Sequence, residues 1–336
     1  MGDFDGIDFL KSFLRLKLKL QDMNFNFIFL MKKTSGKRFL MKNSLVLLAA
    51  ITLFTACDRE VEPTPAYLTI EPFELLSTDP GVHGSVSQKI THADMFMFDS
   101  TENRSIQLGT FELPATIPVL NTGNFSLNVD AVIKANGNSY YLQPYPFYKR
   151  FSTPITLAPN ADETVSPKTS YRDEAVFEFV EDFEHNGLLF SQDRDNDDST
   201  AVTRTNQDVF EGEFSGLVKL DTAHPVIVAQ TTDLYDIEYS SAGKVFMELN
   251  YKTDVPLEFG VVSVEDNGTE GDINFEFVVL AKPEWNKIYF DLTEIISTSP
   301  SNRFAIIFRA GIPVQDGKYT LETAEILLDN VKLVHF

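Results

Sequence analysis

The sequence predicts an all-β protein of two β-sandwiches, preceded by a segment that takes no part in the fold. Three observations predict it. From Ala66 onward, runs that alternate or are continuously apolar recur about every ten residues, separated by Gly, Pro, Asn and Asp, which is the spacing of short antiparallel strands. Apolar residues at helical spacing are scarce over the same stretch. The chain of 336 residues has one cysteine, so no intramolecular disulfide is available and stability must come from burial, in one large core or two ordinary ones.

The leading segment is read first. Leu45 to Phe54 spells LVLLAAITLF, and about ten apolar residues are half of what a membrane-crossing helix needs but suit the core of a signal peptide. Met41 and Lys42 form a basic start ahead of it, and Thr55, Ala56 and Cys57 follow. Leu53, Phe54, Thr55, Ala56 and Cys57 resemble the bacterial lipobox, with Phe54 standing where that motif usually has Leu. The resemblance implies cleavage before Cys57 and lipidation of its thiol. Residues 1–56 are then a mis-called start plus a lipoprotein signal peptide, with in-frame Met23, Met31 and Met41 offering later initiators. Asp58, Glu60 and Glu62 follow the cysteine within an acidic linker, residues 57–66. They resemble the export signal of surface-displayed lipoproteins, which implies an outer-membrane, outward-facing protein. The same acids also suit a solvated linker.

Charge narrows the partners. Residues 1–56 hold 9 of the 28 basic and 4 of the 49 acidic residues, leaving 19 against 45, a net of −26 over the other 280. A nucleic-acid partner is excluded as an expectation, because phosphate binding needs a basic face.

The first sandwich is placed at residues 67–170. YLTIEPFELL, ADMFMFD, FSLNVDAVI, SYYLQPY, TPITLAP and ETVSPKTSY are its strand runs, punctuated by DPG, NTG, NGN and PNAD. Pro114, Pro118, Pro144, Pro146, Pro154, Pro159 and Pro167 are assigned to strand ends and edges, where no ladder N–H is required. The stretch ADMFMFDSTENRSIQLGTFELPATIPVL resembles the transthyretin-like or carboxypeptidase-regulatory sandwiches, an Ig-like architecture. The boundary falls near Ser170, in the polar stretch SPKTSYRDEA.

The second sandwich is placed at residues 171–336. Its runs are FEFVEDF, VFEGEFSGLVKL, KVFMELNYK, LEFGVVSV, INFEFVVL, WNKIYFDL, FAIIFRAG and EILLDNVKLVHF, as two packed sheets require. Asp182-Phe183-Glu184, the loop Val209 to Gly216 leading into LVKL, and Leu327 to Leu333 resemble the opening, a core loop and the closing strand of galactose-binding-like jelly rolls, the carbohydrate-binding-module type. That resemblance implies a structural Ca2+ joining the first and last strands, held by Glu184 and Asp329 with Asp208 and Gly212 as further ligands. The other reading is that Asp329 caps a turn and Glu184 lies in solvent. Asp193, Asp195, Asp197 and Asp198 alternate in the loop SQDRDNDDST, but Asp198 stands where an EF-type loop needs Gly and Arg204 where it needs Glu, so this loop reads as solvated.

For ligand binding, the run Tyr140, Tyr141, Tyr145, Phe147 and Tyr148 is interrupted by Pro144 and Pro146, which bars a regular central strand. It is either an exposed aromatic platform or a corner packed on its own domain. Trp285, the sole tryptophan, either stacks a sugar or fills the turn into WNKIYFDL. Catalysis has no motif: the histidines at 83, 92, 185, 224 and 335 form no metal pair, and no nucleophile elbow or phosphate loop is present. The expectation is a non-catalytic outer-membrane lipoprotein whose jelly roll binds glycans. A structural or assembly subunit bound to an envelope protein is the second class, and a glycoside hydrolase, needing only two carboxylates, the third.

Overall fold

The structure is a computed structural model that describes residues 63–238 and 243–336. The signal segment, Cys57 and the acids at 58, 60 and 62 lie outside the described residues.

Ten strands precede residue 170: β1 (Ala66–Ile70), β2 (Glu74–Leu75), β3 (His92–Asp99), β4 (Arg104–Glu112), β5 (Ala115–Val119), β6 (Gly123–Lys134), β7 (Leu142–Pro144), β8 (Phe151–Leu157), β9 (Asp162–Val165) and β10 (Lys168–Thr169). A short helix, α1 (Pro80–His83), is capped by the Asp79 carboxylate and begins on proline. β4-β3-β6 forms one antiparallel sheet with β7 and β8 both pairing β6, and β5-β1-β9 forms the facing sheet. The alternation in HADMFMFD sends Ala93, Met95 and Met97 inward, against Leu68 and Ile70 of β1. Pro118 and Pro154 lie in β5 and β8, which end their sheets, so their missing N–H groups break no ladder.

Fourteen strands follow: β11 (Val176–Glu181), β12 (Gln192–Asp193), β13 (Thr203–Thr205), β14 (Ser215–Asp221), β15 (Val226–Gln230), β16 (Tyr235–Asp236), β17 (Val245–Thr253), β18 (Leu257–Val264), β19 (Glu270–Val279), β20 (Lys282–Asp291), β21 (Arg303–Gly311), β22 (Val314–Gln315), β23 (Lys318–Tyr319) and β24 (Thr323–His335). A second helix, α2 (Thr293–Thr298), follows β20. One sheet runs β13-β14-β24-β17-β20 with β11 also on β24, and the other β12-β15-β21-β18-β19 with β16 also on β21. Successive strands pass back and forth between the two sheets, which makes this half a jelly roll. Phe183, Phe259, Phe290 and Phe308 fill the space between them.

The longest strand, β24, carries a bulge. Ala324, Ile326 and Leu328 face the jelly-roll core, but Asn330 takes a left-handed φ of 48°, after which Val331 and Leu333 face it. The extra residue lets β24 keep one apolar face along its length while burying the Asp329 carboxylate.

The two sandwiches pack together within one compact unit, residues 63–336. The outer face of the β24 sheet presents Phe246, Tyr289 and Val334, and these belong to the same apolar cluster as Leu68, Met95, Tyr145 and Phe147 of the first sandwich. Charged groups seal the same contact. Glu248 is wholly buried beside Lys287 at 2.7 Å, and accepts from the hydroxyls of Tyr145 at 2.6 Å and Tyr171 at 2.9 Å. Lys332, also wholly buried, donates to the Ser85 carbonyl at 2.8 Å. Burial alone would neutralise Glu248, but Lys287 and Lys332 outweigh it and hold the carboxyl below its usual range.

Candidate functional site

With one jelly-roll sheet covered by the first sandwich, binding surface must come from the other sheet or from the junction. The outer face of the β21 sheet can be read row by row from its register. One row across the strands is Gln192, Gln230, Ile307, Gly260 and Phe275. The next row contains Val228, Arg309, Glu258 and Val278, with Arg194 bonded beside Val228. The Arg309 guanidinium lies 4.1 Å over the Phe275 ring and pairs with Glu258. Arg194, just past β12, and Glu270, the first residue of β19, lie at opposite edges of this sheet and meet in a bidentate ion pair at 2.8 and 2.7 Å. Four strand spacings are about 19 Å in a flat sheet, so the face curls until its edges join. Under that bridge Val262, Ala305 and Ile307 are fully buried, so the face is closed over rather than offered to a ligand.

One open groove lies at the junction. It measures about 460 Å³ and combines β19 and β20 of the jelly roll with the first sandwich. Lys89, Thr91, Lys134, Asn136 and Ser139 come from the first sandwich; Val278, Leu280, Lys282 and Asn286 come from the second. The loop 135–141 after β6 positions the upper wall: Asn136 N–H donates to the Tyr289 carbonyl, and its side-chain carbonyl accepts from Asp291 N–H at 2.8 Å. Asn136 adopts a left-handed φ of 55° and the following glycine 65°, which is the turn chemistry that the NGN triplet encodes.

The expected ligand residues divide sharply. Tyr140 is 97% exposed on this loop, next to Ser139 of the groove, and Tyr141 is 45% exposed. Tyr145, Phe147 and Tyr148 are buried instead, and the idea of one exposed platform is corrected for them. The physical reason is the outer face of the β24 sheet: Tyr145 lies edge-on to Phe246 at 5.3 Å, and Phe147 lies 5.9 Å from the same ring. Trp285 packs against Phe210 at 5.5 Å and donates to the Asp208 carboxylate at 3.0 Å, so its indole is held in the wall of the sandwich.

The residues expected to hold calcium are only partly brought together. Glu184, Gly212 and Asp329 line one cavity of about 380 Å³, joined there by Asp182 and Glu211. Asp208 is not among them; it is ion-paired to Lys252, whose ammonium holds its carboxyl below the usual range. Some of the remaining oxygens accept hydrogen bonds. Glu184 Oε1 accepts from the N–H groups of Glu213 at 2.8 Å and Phe214 at 3.0 Å. Asp329 accepts from Ser215 Oγ at 2.6 Å and from Asn330 N–H at 2.8 Å. Among the described residues no group of three or more His, Cys, Asp or Glu is disposed to hold a metal ion. Burial, only partly offset by the Ser215 bond, pushes Asp329 up to about 7. In the acidic loop, Asp193, Asp195 and Asp197 accept from their own loop's N–H groups as Asx turns do, but Asp195 also accepts from Val228 N–H and Asp197 pairs with the His224 imidazole at 2.7 Å, so the loop is tied to the sandwich and is not simply solvated.

No protein-family model matches this chain, and no curated protein matches it in sequence. Among solved structures it is similar to the xylan-binding CBM22-1 domain of Paenibacillus barcinonensis Xyn10C, at 15% identity. That match spans 47% of this chain and 92% of that domain, with a TM-score of 0.32. It is similar also to the family 11 carbohydrate-binding module of the cellulase Lic26A-Cel5E of Clostridium thermocellum, at 11% identity. There 46% of this chain and 94% of that module are covered, with a TM-score of 0.32. A domain of the bacteriophage CBA120 tailspike protein 4 matches at 13% identity and a TM-score of 0.29, over 40% of this chain and 17% of that one. The likenesses are slight.

Sequence reading missed the groove because its lysines and asparagines are scattered over two hundred residues, in runs that carry no shared motif. It also missed the Arg194–Glu270 bridge. One signal was available: Glu258, Gly260 and Arg309 interrupt the apolar runs LEFGVVSV and FAIIFRAG at outward positions.

Proposed function

We propose that this chain is a non-catalytic glycan-binding lipoprotein of the outer membrane, anchored through Cys57, outward-facing, and engaging its sugar in the junction groove. One observation carries the binding reading. The groove combines apolar wall from Val278 and Leu280 with hydrogen-bonding groups from Thr91, Asn136, Ser139 and Asn286, and the residue after Ser139 in the chain is the exposed Tyr140. A pyranose has the matching character, apolar on its faces and hydroxylated at its rim. The described lining of this groove includes no Asp or Glu. The signal-like LVLLAAITLF run ahead of the single cysteine supports the anchor.

Affinity electrophoresis through gels carrying a panel of polysaccharides tests the binding. Retardation on at least one, weakened about tenfold by Tyr140→Ala, is the expected result. Migration unchanged on every polysaccharide overturns it, and a stable protein complex recovered from detergent-solubilised membranes then favours the assembly-subunit reading. Mass spectrometry of the native product tests the anchor: an N-terminal Cys57 bearing diacylglycerol is expected, and an unmodified Cys57 with the upstream segment attached refutes it.

A further inference from the structure

The groove's lining has a charge opposite to that of the chain around it. Lys89, Lys134, Lys282 and Lys287 all line it, in a chain that has 28 basic residues against 49 acidic ones. Two of the four are matched. Lys287 lies 2.7 Å from Glu248, and Lys134 lies 4.0 Å from Glu112, whose side chain is 73% exposed. Lys89 and Lys282 have no ion pair among the described residues, and the Lys89 ammonium is turned onto the Asn286 side-chain carbonyl. Burial, then the charges of Lys282 and Lys134, draws Lys89 below the usual ammonium range. Lys89 and Lys282 thus share one groove without a counter-charge, with Lys134 only loosely matched by the exposed Glu112, and an anion placed among the three relieves their mutual repulsion.

We infer that the junction groove binds an acidic glycan, with the carboxylate of a uronic acid residue seated between Lys89, Lys282 and Lys134. The inference rests on the glycan reading above and narrows it to a substrate class. Geometry favours a uronate over a small free anion. The same groove carries amides and hydroxyls at Asn136, Ser139 and Asn286, which suit sugar hydroxyls, and an apolar stretch at Val278 to Leu280. Lysines, as mobile point charges with three donors, suit a carboxylate whose position varies along a polymer.

The experiment is titration calorimetry of the purified protein with polygalacturonate and alginate fragments, with their carboxyl-reduced neutral counterparts, and with sodium sulfate. Binding of a uronan, its affinity falling at least tenfold on carboxyl reduction, on Lys282→Gln, and on raising salt from about 20 to about 300 mM, is expected, since that change shortens the screening length from about 20 Å to about 6 Å. Lys282 is exposed, so its substitution leaves the fold intact; Lys89→Gln is made alongside, with circular dichroism as the folding check. Equal affinity for the uronan and its reduced form overturns the charge inference while leaving the glycan reading standing. No binding to any polymer overturns both. Equally tight binding of sulfate, or capture by vesicles of 30% phosphatidylglycerol that Lys282→Gln abolishes, replaces the glycan with a free anion or a membrane surface.

Discussion

Tyr145 of the first sandwich donates its hydroxyl hydrogen to Glu248 of the second across 2.6 Å, and both residues are buried. The glutamate is therefore held jointly by the two sandwiches. Glu248→Ala leaves Lys287 and Lys332 as buried charges without their counter-ion, which costs on the order of 3–5 kcal/mol. Tyr145→Phe removes one hydrogen bond to a charged acceptor and costs about 1.5–3 kcal/mol. Urea denaturation checks both, and a change under 1 kcal/mol in Glu248→Ala would mean that the network contributes nothing net.

Two buried groups make stability depend on pH in opposite directions. Asp329 titrates near 7 in the fold and lower when unfolded, so the native state holds its proton more tightly and stability falls as pH rises toward 7. Burial and the neighbouring Lys287 bring Lys332 down to about 7, so here the unfolded state holds more protons, and stability rises as pH climbs above 7. Together they place a minimum near neutral pH, about 2–4 kcal/mol deep on each side. Thermal melts from pH 4 to 10 should show Asp329→Asn flattening the acid limb and Lys332→Met the alkaline one. A calcium-dependent loss of stability in Asp329→Asn would instead identify this carboxylate as a metal ligand.

The Arg194–Glu270 pair joins strand edges that a flat sheet would hold apart. Both side chains are partly exposed, so Arg194→Ala costs only about 0.5–1 kcal/mol. The larger expected effect is local: amide exchange in Gln192, Asp193 and the start of β19 accelerates, while the central strands β18 and β21 stay protected. Uniform acceleration throughout the sheet would refute the bridge as a local fastening.

Gly212 has φ of +74°, and a Cβ there would collide with the Glu184 carboxylate that accepts the N–H groups of Glu213 and Phe214. Gly212→Ala should cost about 1–3 kcal/mol, seen as a lowered midpoint in denaturant at unchanged slope. An unperturbed midpoint would mean that the Glu184 loop is free to move aside.

How far the sequence could be read follows from what a period of two can carry. Alternation in HADMFMFD and continuous burial in FAIIFRAG place strands and their inward faces, so the all-β architecture was legible. The same period cannot tell an outer face that meets solvent from one that meets a second sandwich, and for that reason it left Tyr145, Phe147 and Tyr148 open between a platform and a packed corner. Their prolines did signal irregular backbone; the rings of Phe246 and Tyr289 that they cover lie about a hundred residues or more downstream. The seam at Glu184 was legible through Gly212 and Asp329, whereas Asp208 was not separable from them, because its partner Lys252 lies on another strand. The left-handed Asn330, which shifts β24 by one residue, has no signature in LLDNVKL beyond an asparagine that tolerates that conformation.

The covered face of the β24 sheet bears on any attempt to excise the carboxy-terminal half for crystallisation or fusion. Severed at residue 171, that half would expose to water a patch of Phe246, Tyr289 and Val334 around an ionised Glu248, adhesive and charged at once. It should precipitate or pair with its own copies, and the smallest piece worth expressing begins before β1.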